Sequence, residues 1–302
     1  MATDYDVIVI GEGVAGLTAA GELAGAGLKV ATIEAQLFGG LVININELEP
    51  GPTGGTGGGA EYASSLVEAA ANAGVTSINE PVSGIETVGE IKKVVMGAGA
   101  YTAKQVVVAS GARLKKLGVP GEAEFEGKGV SQCADCDGPM YQNEIAVVVG
   151  GGDSALQESM VLAQYCKEVR LVHRDGAFSG SNHLQQAVNA EAKIVKTLNA
   201  EVTAVGGNQM VEKVQIKHKD GRSEDLACAG LFAYIGLEPN SDFLPASVKR
   251  DADGRVVTND KLETTMPGVW AIGAVRSGCG GLLDDAISDA KKAAAEIRAR
   301  LA

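Results

Sequence analysis

The chain has 302 residues, which predicts about two domains at roughly 150 residues each. Its 26 basic and 38 acidic side chains give a net charge of −12, which argues against nucleic acid and anionic membranes as partners. Hydrophobic residues make up 45% of the chain, too many for a disordered protein. No apolar run approaches the roughly 20 residues that span a bilayer, and the first residues lack the basic segment of a signal peptide. We therefore expect a soluble cytoplasmic protein.

Glycine is the unusual component, with 41 residues, or about 14% of the chain and roughly twice its usual share. The five cysteines are too few, and odd in number, for a secreted disulfide scaffold. None of the three histidines, at 173, 183 and 218, pairs with a cysteine at the spacing of zinc ligands, so we expect no metal site.

The chain begins with the pattern of a dinucleotide-binding βαβ unit. Residues 6–10 form a β-branched run that predicts a buried parallel strand. A glycine turn over 11–16 follows, then an Ala/Leu-rich helix to about residue 26 and a second strand over 29–34.

Each glycine of this turn has a physical role. Gly11 makes the tight turn, Gly13 lets the backbone approach a pyrophosphate, and Gly16 packs the helix against the strand. The helix N-terminus faces the phosphates, and Glu34 ends the second strand, where a carboxylate can bind two ribose hydroxyls. This combination favours an adenine dinucleotide over a plain tight turn.

A second βαβ unit follows the same plan, with a strand at 145–149, a helix over about 154–165 and a strand at 168–173. Its turn is Gly150-x-Gly152-x-x-Ala155, and alanine is tolerated at the third position. The distance from the first glycine to the end of the second strand is 23 positions in both units. This unit ends in His-Arg rather than in an acid. It favours a nicotinamide nucleotide site; the alternative is a relict fold retained for packing.

The remaining segments connect these units. Residues 115–118 and 237–240 resemble linkers into and out of the second unit. The other predicted elements are a glycine-rich loop over 51–59, a helix over 60–73, a strand over 106–111, a strand over 268–273 and a helix from about 284 to 302.

Two cysteines stand at redox spacing just before the second unit. Cys133 and Cys136 are two residues apart in a short turn and can close a small disulfide ring, in which one thiolate is activated and its partner resolves a mixed disulfide. Asp137 lies beside them, where a carboxyl can move a proton to or from a thiolate. The alternatives are half of a zinc site or two buried thiols.

The other three cysteines carry no such pattern. Cys166 and Cys228 stand alone and are expected to be small buried hydrophobic residues. Cys279 lies in a glycine-rich loop, where an ordinary loop cysteine is favoured over an additional redox role.

Together these residues resemble the bacterial low-molecular-weight thioredoxin reductase family over nearly the whole chain. The most specific element is the Cys-Ala-Asp-Cys-Asp-Gly segment over 133–138, placed just before the glycine turn of the second unit. Four further segments look like the family in order: Gly39-Gly40, 109–112, 231–236 and 268–273.

The resemblance implies an α/β fold with two Rossmann-like, three-layer dinucleotide-binding domains. The FAD-binding domain would cover 1–115 and 241–302, and the NAD(P)H-binding domain carrying the cysteine pair would cover 116–240. It also implies a homodimer and a rotation between the domains, so that the disulfide meets the flavin in one orientation. In the other orientation the dithiol meets a thioredoxin-like protein or a small disulfide substrate.

The resemblance also assigns residues to roles. Cys136 would be the cysteine nearest the flavin, Cys133 the one that attacks a partner disulfide, and Asp137 the acid–base group. For FAD it implies Gly11, Gly13, Val14, Ala15, Gly16, Glu34, Ala35, Gly39, Gly40, Leu41, Ala109, Gly111, Gly273 and Ala274. For NAD(P)H it implies Gly150, Gly152, Asp153, Ser154, His173 and Arg174.

The chain departs from the family around the flavin. Ala274 replaces the aspartate that holds the ribityl or phosphate side of the flavin. Asp284 and Asp285 replace an Arg-Gln pair that contacts the flavin, and Pro50 replaces an asparagine. We expect FAD to bind through its adenylate half, with weaker binding or a lower flavin potential, because the new carboxylates repel the anionic reduced flavin.

The nucleotide motif departs as well. The family has His-Arg-Arg and a further arginine four residues on, whereas this chain has His173-Arg174-Asp175 and Ser179. Because only one cation of three remains for a 2′-phosphate, we expect NADPH to lose its usual advantage over NADH.

Three functions follow in order of preference. The first is an FAD-dependent disulfide reductase that passes electrons from a donor through FAD to Cys133/Cys136 and on to a thioredoxin-like partner. The second is a related dithiol oxidase, or a reductase fed by a donor other than NADPH. The third is a non-catalytic binding protein on the same fold, which the retained cysteine pair argues against.

Overall fold

A computed structural model describes residues 3–45, 48 and 57–302. The chain divides into two compact units: a flanking unit, Met1–Arg113 with Glu238–Ala302, and an inserted unit, Leu114–Leu237. From the sequence, the boundaries between the two domains were predicted after residues 115 and 240. Pro50 and residues 51–56 of the glycine-rich loop lie outside the described residues.

The helices and strands are numbered here in chain order. Before the first division they are β1 (Tyr5–Ile10), α1 (Val14–Gly25), β2 (Val30–Glu34), α2 (Gly59–Asn72), β3 (Thr76–Asn79), β4 (Val82–Val88), β5 (Ile91–Met96), β6 (Ala100–Val108) and β7 (Ala112–Leu114). In the inserted unit they are β8 (Val130–Ser131), α3 (Ala134–Asp137), β9 (Ile145–Val149), α4 (Asp153–Tyr165), β10 (Glu168–His173), α5 (Asn182–Ala190), β11 (Ile194–Leu198), β12 (Ala200–Gly207), β13 (Val211–His218), β14 (Ser223–Ala227) and β15 (Gly230–Ala233). At and after the second division they are β16 (Leu237–Pro239), β17 (Val269–Ala271) and α6 (Leu283–Leu301).

The flanking unit is built on one sheet with strand order β3-β2-β1-β6-β5-β4, and β17 also pairs with β6. The pairs around β1 and β17 are parallel, whereas β4, β5 and β6 pair antiparallel. Because side chains alternate along β1, Val7 and Val9 pack on the face that α1 and α6 cover, and Ile8 and Ile10 pack on the opposite face. The uninterrupted apolar run of β1 is thus explained by burial on both faces.

The inserted unit repeats this arrangement on a parallel sheet with strand order β11-β10-β9-β15-β8. Along β9, Ala146 and Val148 pack on the face covered by α4 and α5. Val147 and Val149 pack on the other face, which the antiparallel sheet β12-β13-β14 covers.

The predicted α/β fold with two Rossmann-like domains is therefore confirmed. The predicted helices lie within one or two residues of α1, α2, α4 and α6. The antiparallel hairpin β4–β5 and the sheet β12–β14 were not predicted. Among the described residues, no helix combines the length and the apolar character needed to cross a bilayer.

Candidate redox and nucleotide sites

The redox pair lies at the start of α3. A disulfide joins Cys133 and Cys136, with their Cα atoms 5.3 Å apart, inside the range of roughly 4.4–6.8 Å that disulfides need. Cys133 is the N-cap of α3, and the N–H of Cys136 donates to the Cys133 Sγ at 3.2 Å. A helix N-terminus that donates to a sulfur stabilises the thiolate form of that sulfur.

Asp137 is held beside this pair by Ser131. The Ser131 hydroxyl donates to Asp137 Oδ2 at 2.6 Å and accepts the N–H of Cys133 at 3.2 Å. One side chain therefore fixes both the acid and the first cysteine. Within the described residues, no cluster of His, Cys, Asp and Glu is arranged to hold a metal ion.

The other end of the redox turn is tied to two residues that the sequence reasoning did not single out for chemistry. The N–H of Ala134 donates to the Tyr234 hydroxyl at 3.2 Å, and that hydroxyl donates to Glu158 Oε2 at 3.3 Å. Burial, with a smaller contribution from the charge of Asp135, raises the pKa of Glu158 to about 7. The only sequence signal was an acid on the helix that follows the glycine turn.

The remaining cysteines are poorly suited to redox chemistry. Cys166 and Cys228 are buried, as predicted, and burial raises their thiol pKa values to about 11 and about 12. Cys279 is half-buried in its loop, and burial raises its pKa as well. Thiols in this state are weak nucleophiles.

The first glycine turn has the steric form of a dinucleotide cradle. Gly11 has φ of 108°, and a Cβ at that position would lie 2.4 Å from the carbonyl oxygen of Ala109. A Cβ at Gly16 would lie 2.0 Å from the carbonyl oxygen of Gly11. No side chain caps α1, so its first N–H groups are open to a phosphate.

Glu34 lies at the end of β2 with its carboxylate held by backbone. Its two oxygens accept the N–H groups of Glu12, Ala35 and Gln36 at 2.9, 2.8 and 3.0 Å. This fixes the carboxylate at the strand end, where ribose hydroxyls bind in dinucleotide folds.

Glu12, inside the glycine turn, is a second acid that the sequence reasoning missed. It is buried, and its Oε1 accepts the hydroxyls of Thr32 at 2.6 Å and Ser77 at 2.5 Å. Glu12 thereby ties the turn to β2 and β3. The signal was present in the sequence, as a charged residue between two glycines of the motif.

The C-terminal flavin motif is built around a buried acid from α6. The N–H of Gly273 donates to Asp289 Oδ2 at 3.0 Å, and Arg276 donates to both oxygens of Asp289 at 2.8 and 2.9 Å. Arg255 donates to the carbonyl oxygen of Ala274 at 2.7 Å. Asp289 thus fixes the loop that contains Gly273 and Arg276. It lies on α6, and not at position 274, where the family has an aspartate and this chain has alanine.

Most of the predicted flavin residues converge on the N-terminus of α1. Gly39 forms a backbone bridge with Gly13, and a Cβ at Gly273 would lie 2.9 Å from the Cβ of Ala15. Gly40 and Leu41 begin the short 3-10 turn at Gly40–Asn44. Gly111 is instead bonded through its carbonyl to the N–H of Asn240, beside β7. Val14 opens α1, and Ala35 follows β2 directly.

The second glycine turn is similarly crowded. A Cβ at Gly150 would lie 2.3 Å from the carbonyl oxygen of Tyr234, and the His173 ring lies against Gly151. No side chain caps α4 at Gly152. Asp153 Oδ1 accepts the N–H of Ser181 at 2.5 Å, while Ser154 is exposed in the first turn of α4.

The end of β10 carries one more cation than the sequence indicated. Asp175 is paired with Arg174 at 3.4 Å and with Lys219 at 3.4 Å. Two cations and one acid therefore occupy this strand end. Lys219 follows β13 and is a cation that the sequence reasoning did not find.

These sites fit the adenylate half of FAD and a nicotinamide nucleotide. The glycine cradles, the uncapped helices and the backbone-held Glu34 match that chemistry. The aspartate for the ribityl side of the flavin is absent, as the sequence indicated.

The comparisons with known proteins agree with this geometry. A family model described as pyridine nucleotide-disulphide oxidoreductase matches residues 5–296. The chain belongs to this family. It is 38% identical to a thioredoxin reductase of Treponema pallidum over 279 residues, covering 92% of this chain and 91% of that one. It is 35% identical to a thioredoxin reductase of Mycolicibacterium smegmatis, with coverage of 93% and 96%.

Solved structures give the same result. The crystal structure of Lactococcus lactis thioredoxin reductase superposes with a TM-score of 0.94 at 33% identity and covers 98% of both chains. The resemblance to thioredoxin reductases is therefore confirmed. This member of the pyridine nucleotide-disulphide oxidoreductase family is an FAD-dependent disulfide oxidoreductase of the thioredoxin-reductase type, with FAD and a nicotinamide nucleotide as cofactors.

Proposed function

We propose that the enzyme passes electrons from NAD(P)H through FAD to the Cys133–Cys136 disulfide, and from there to the disulfide of a thioredoxin-like protein. The observation that carries this proposal is the disulfide itself, closed at the N-terminus of α3 with an acid held beside it. FAD, when bound, accepts a hydride and passes two electrons on to a disulfide. The flanking unit would hold FAD and the inserted unit NAD(P)H.

The chain's own residues account for the exchange step. The Cys133 sulfur, which accepts the N–H of Cys136, attacks the partner disulfide as a thiolate and forms a mixed disulfide while a partner thiolate leaves. Cys136 then gives its proton to Asp137 and attacks Cys133, which releases the second partner thiolate. The enzyme pair is oxidised and the partner pair is reduced by two electrons.

A trapping experiment tests these roles. Cys136→Ser leaves Cys133 without its resolving thiol, so we expect a stable mixed disulfide with a thioredoxin-like partner that dithiothreitol releases. Cys133→Ser is the matched control and should trap much less. Equal trapping by both variants, or trapping by Cys133→Ser alone, contradicts the assignment.

One observation favours the second candidate function, a related enzyme that takes its electrons from a donor other than NADPH. Asp175 lies at the strand end where the family carries an arginine, so a donor other than NADPH remains a candidate. Comparing NADPH, NADH and a reduced dithiol as electron sources to the flavin distinguishes the two.

Assembly as a homodimer and a cytoplasmic location are part of the proposal. The dimer rests on the resemblance to thioredoxin reductases, and sedimentation of the holoenzyme measures it. The location is supported by the three free thiols at Cys166, Cys228 and Cys279, which suit a reducing compartment.

A further inference from the structure

The redox turn is anchored at its first peptide by residues far away in the sequence. The N–H of Ala134 is the first of the donors that a helix leaves without a helical partner. It is accepted by the Tyr234 hydroxyl, 100 positions along the chain and just past the end of β15. That hydroxyl in turn donates to Glu158 on α4.

The hydrogen bonds from Ala134 to Tyr234 and on to Glu158 are shielded from water at their first two residues. Ala134 is fully buried and Tyr234 is only 7% exposed. An unpaired N–H at such a position destabilises the fold, so the Tyr234 hydroxyl stabilises the redox turn by accepting it. The Tyr234 hydroxyl has one proton and two lone pairs, so it accepts the N–H of Ala134 while its own proton is donated to Glu158.

The surroundings of Glu158 disfavour its charged form. The nearby charge is that of Asp135 in the redox turn, which also raises the pKa of Glu158, whereas the hydrogen bonds from the Ala134 N–H and the Tyr234 hydroxyl lower it. Burial is the main cause that brings the pKa of Glu158 to about 7, and burial also raises the pKa of Tyr234. Glu158 is therefore partly protonated at neutral pH.

We propose that Glu158 is a positioning residue of the redox turn, which holds the Ala134 N–H through the Tyr234 hydroxyl and takes up a proton when the disulfide is reduced. The inference rests on the proposed function, because it assigns a role within the same site. Two electrons convert the disulfide to a thiolate on Cys133 and a thiol on Cys136 with one proton. The new negative charge lies next to Ala134, and it draws the second proton to Glu158 when that carboxyl is ionised.

The consequence is a pH-dependent coupling that a purely structural contact would lack. Below about pH 6 Glu158 is protonated in both redox states, so neutralising it changes nothing. Above about pH 8 the ionised carboxylate opposes the Cys133 thiolate, so removing its charge favours the dithiol.

The experiment equilibrates the holoenzyme with dithiothreitol buffers between pH 5.5 and 8.5 and counts thiols at Cys133 and Cys136 by alkylation and mass spectrometry. For E158Q relative to the natural chain, we expect an equilibrium constant for reduction that is unchanged at pH 5.5 and about three- to tenfold higher at pH 8.5. The control E144Q, at an exposed position just before β9, should give a ratio near one throughout. A flat ratio for E158Q, or the same rise in E144Q, overturns the proposal.

A second comparison tests the route through the tyrosine. If Glu158 acts through Tyr234, adding Y234F to E158Q should change the equilibrium constant less than Y234F changes it alone. Full additivity of the two substitutions overturns the route. Because dithiothreitol reduces the pair without a nucleotide or a partner, this outcome is separate from failure of the proposed function, which appears as loss of donor-dependent turnover.

Discussion

At the level of single residues, the redox turn is organised by short contacts on both sides of the disulfide. Ser131 fixes Asp137 and the backbone of Cys133, while Tyr234 fixes the backbone of Ala134. The turn is therefore held in place by side chains from β8 and from the end of β15, and not only by its own four-residue helix.

The simplest prediction concerns the cysteines. Cys133→Ser should reduce disulfide reductase activity to background, because a serine hydroxyl neither attacks nor closes a disulfide. Cys279→Ser should retain activity near that of the natural chain, since its thiol is half-buried and lies outside the redox turn. Turnover of a disulfide substrate measures both, and a fully active Cys133→Ser enzyme refutes the assignment.

Glu158 also predicts how stability changes with pH. Its folded pKa of about 7 lies above the ordinary value of 4.5, so the folded state binds more protons than the unfolded state between these values. This carboxyl therefore lowers the free energy of unfolding as the pH rises from about 4.5 to 7.

E158Q should remove that loss. Its free energy of unfolding relative to the natural chain should increase by about 1–2 kcal/mol between pH 5 and pH 8, a figure reduced from the full linkage value because the group is only partly buried. Urea unfolding at both pH values measures this difference. No change between the two, or a change of opposite sign, contradicts the assigned pKa direction.

At the level of elements, the two glycine turns are the part that the sequence predicts best. At Gly11 a Cβ would collide with the carbonyl of Ala109, so this position must be glycine for steric reasons. The motif can therefore be recognised from the sequence alone. Side-chain contacts between segments that are far apart in the sequence cannot be recognised from the sequence in this way. Lys219 meets Asp175 across 44 positions, and Glu158 meets Tyr234 across 76.

The strand end after β10 gives a prediction about the donor. The kcat/KM for NADPH should exceed that for NADH by no more than about tenfold. The reason is that Asp175 forms ion pairs with Arg174 and Lys219 and so partly neutralises the two cations that would bind a 2′-phosphate. Asp175→Ala frees both cations and should raise the NADPH-to-NADH ratio of kcat/KM by about three- to tenfold.

Asp220→Ala is the matched control for that change. Asp220 is an exposed acid that directly follows Lys219 in the sequence, and it is paired with Arg222. It should leave the ratio of kcat/KM unchanged. A natural enzyme that prefers NADPH well above tenfold shows that the role given to Asp175 is mistaken.

The loop that carries Gly273 gives a prediction about the flavin. Ala274→Asp restores the carboxylate that the family uses, and a hydrogen bond to a charged group contributes about 1.5–3 kcal/mol, so FAD should bind about tenfold tighter or more. Ser277→Asp adds the same charge three positions away and should not tighten binding. Fluorescence titration of the apoprotein with FAD measures both, and equal affinities in all three proteins contradict the prediction.

At the level of the whole molecule, the division into two dinucleotide-binding units follows from the repeated βαβ pattern. The antiparallel sheet β12–β14 was not predicted, because a strand such as β14, Ser223–Ala227, is mostly exposed and has no apolar alternation to mark it. The buried core of each unit was visible in the sequence, whereas the sheet that covers the second face of the inserted unit was not.

In this enzyme one chain carries two electron-accepting centres in series, a flavin and a disulfide. Anaerobic titration of the holoenzyme with NADPH and with NADH, followed by flavin absorbance and thiol counting, tests it most directly. We expect about two equivalents of the better nucleotide to bleach the flavin and release the Cys133 and Cys136 thiols, since each centre takes two electrons. Cys133→Ser should need about one equivalent. If the flavin of the natural chain bleaches with one equivalent while the disulfide stays closed, the two centres do not act in series.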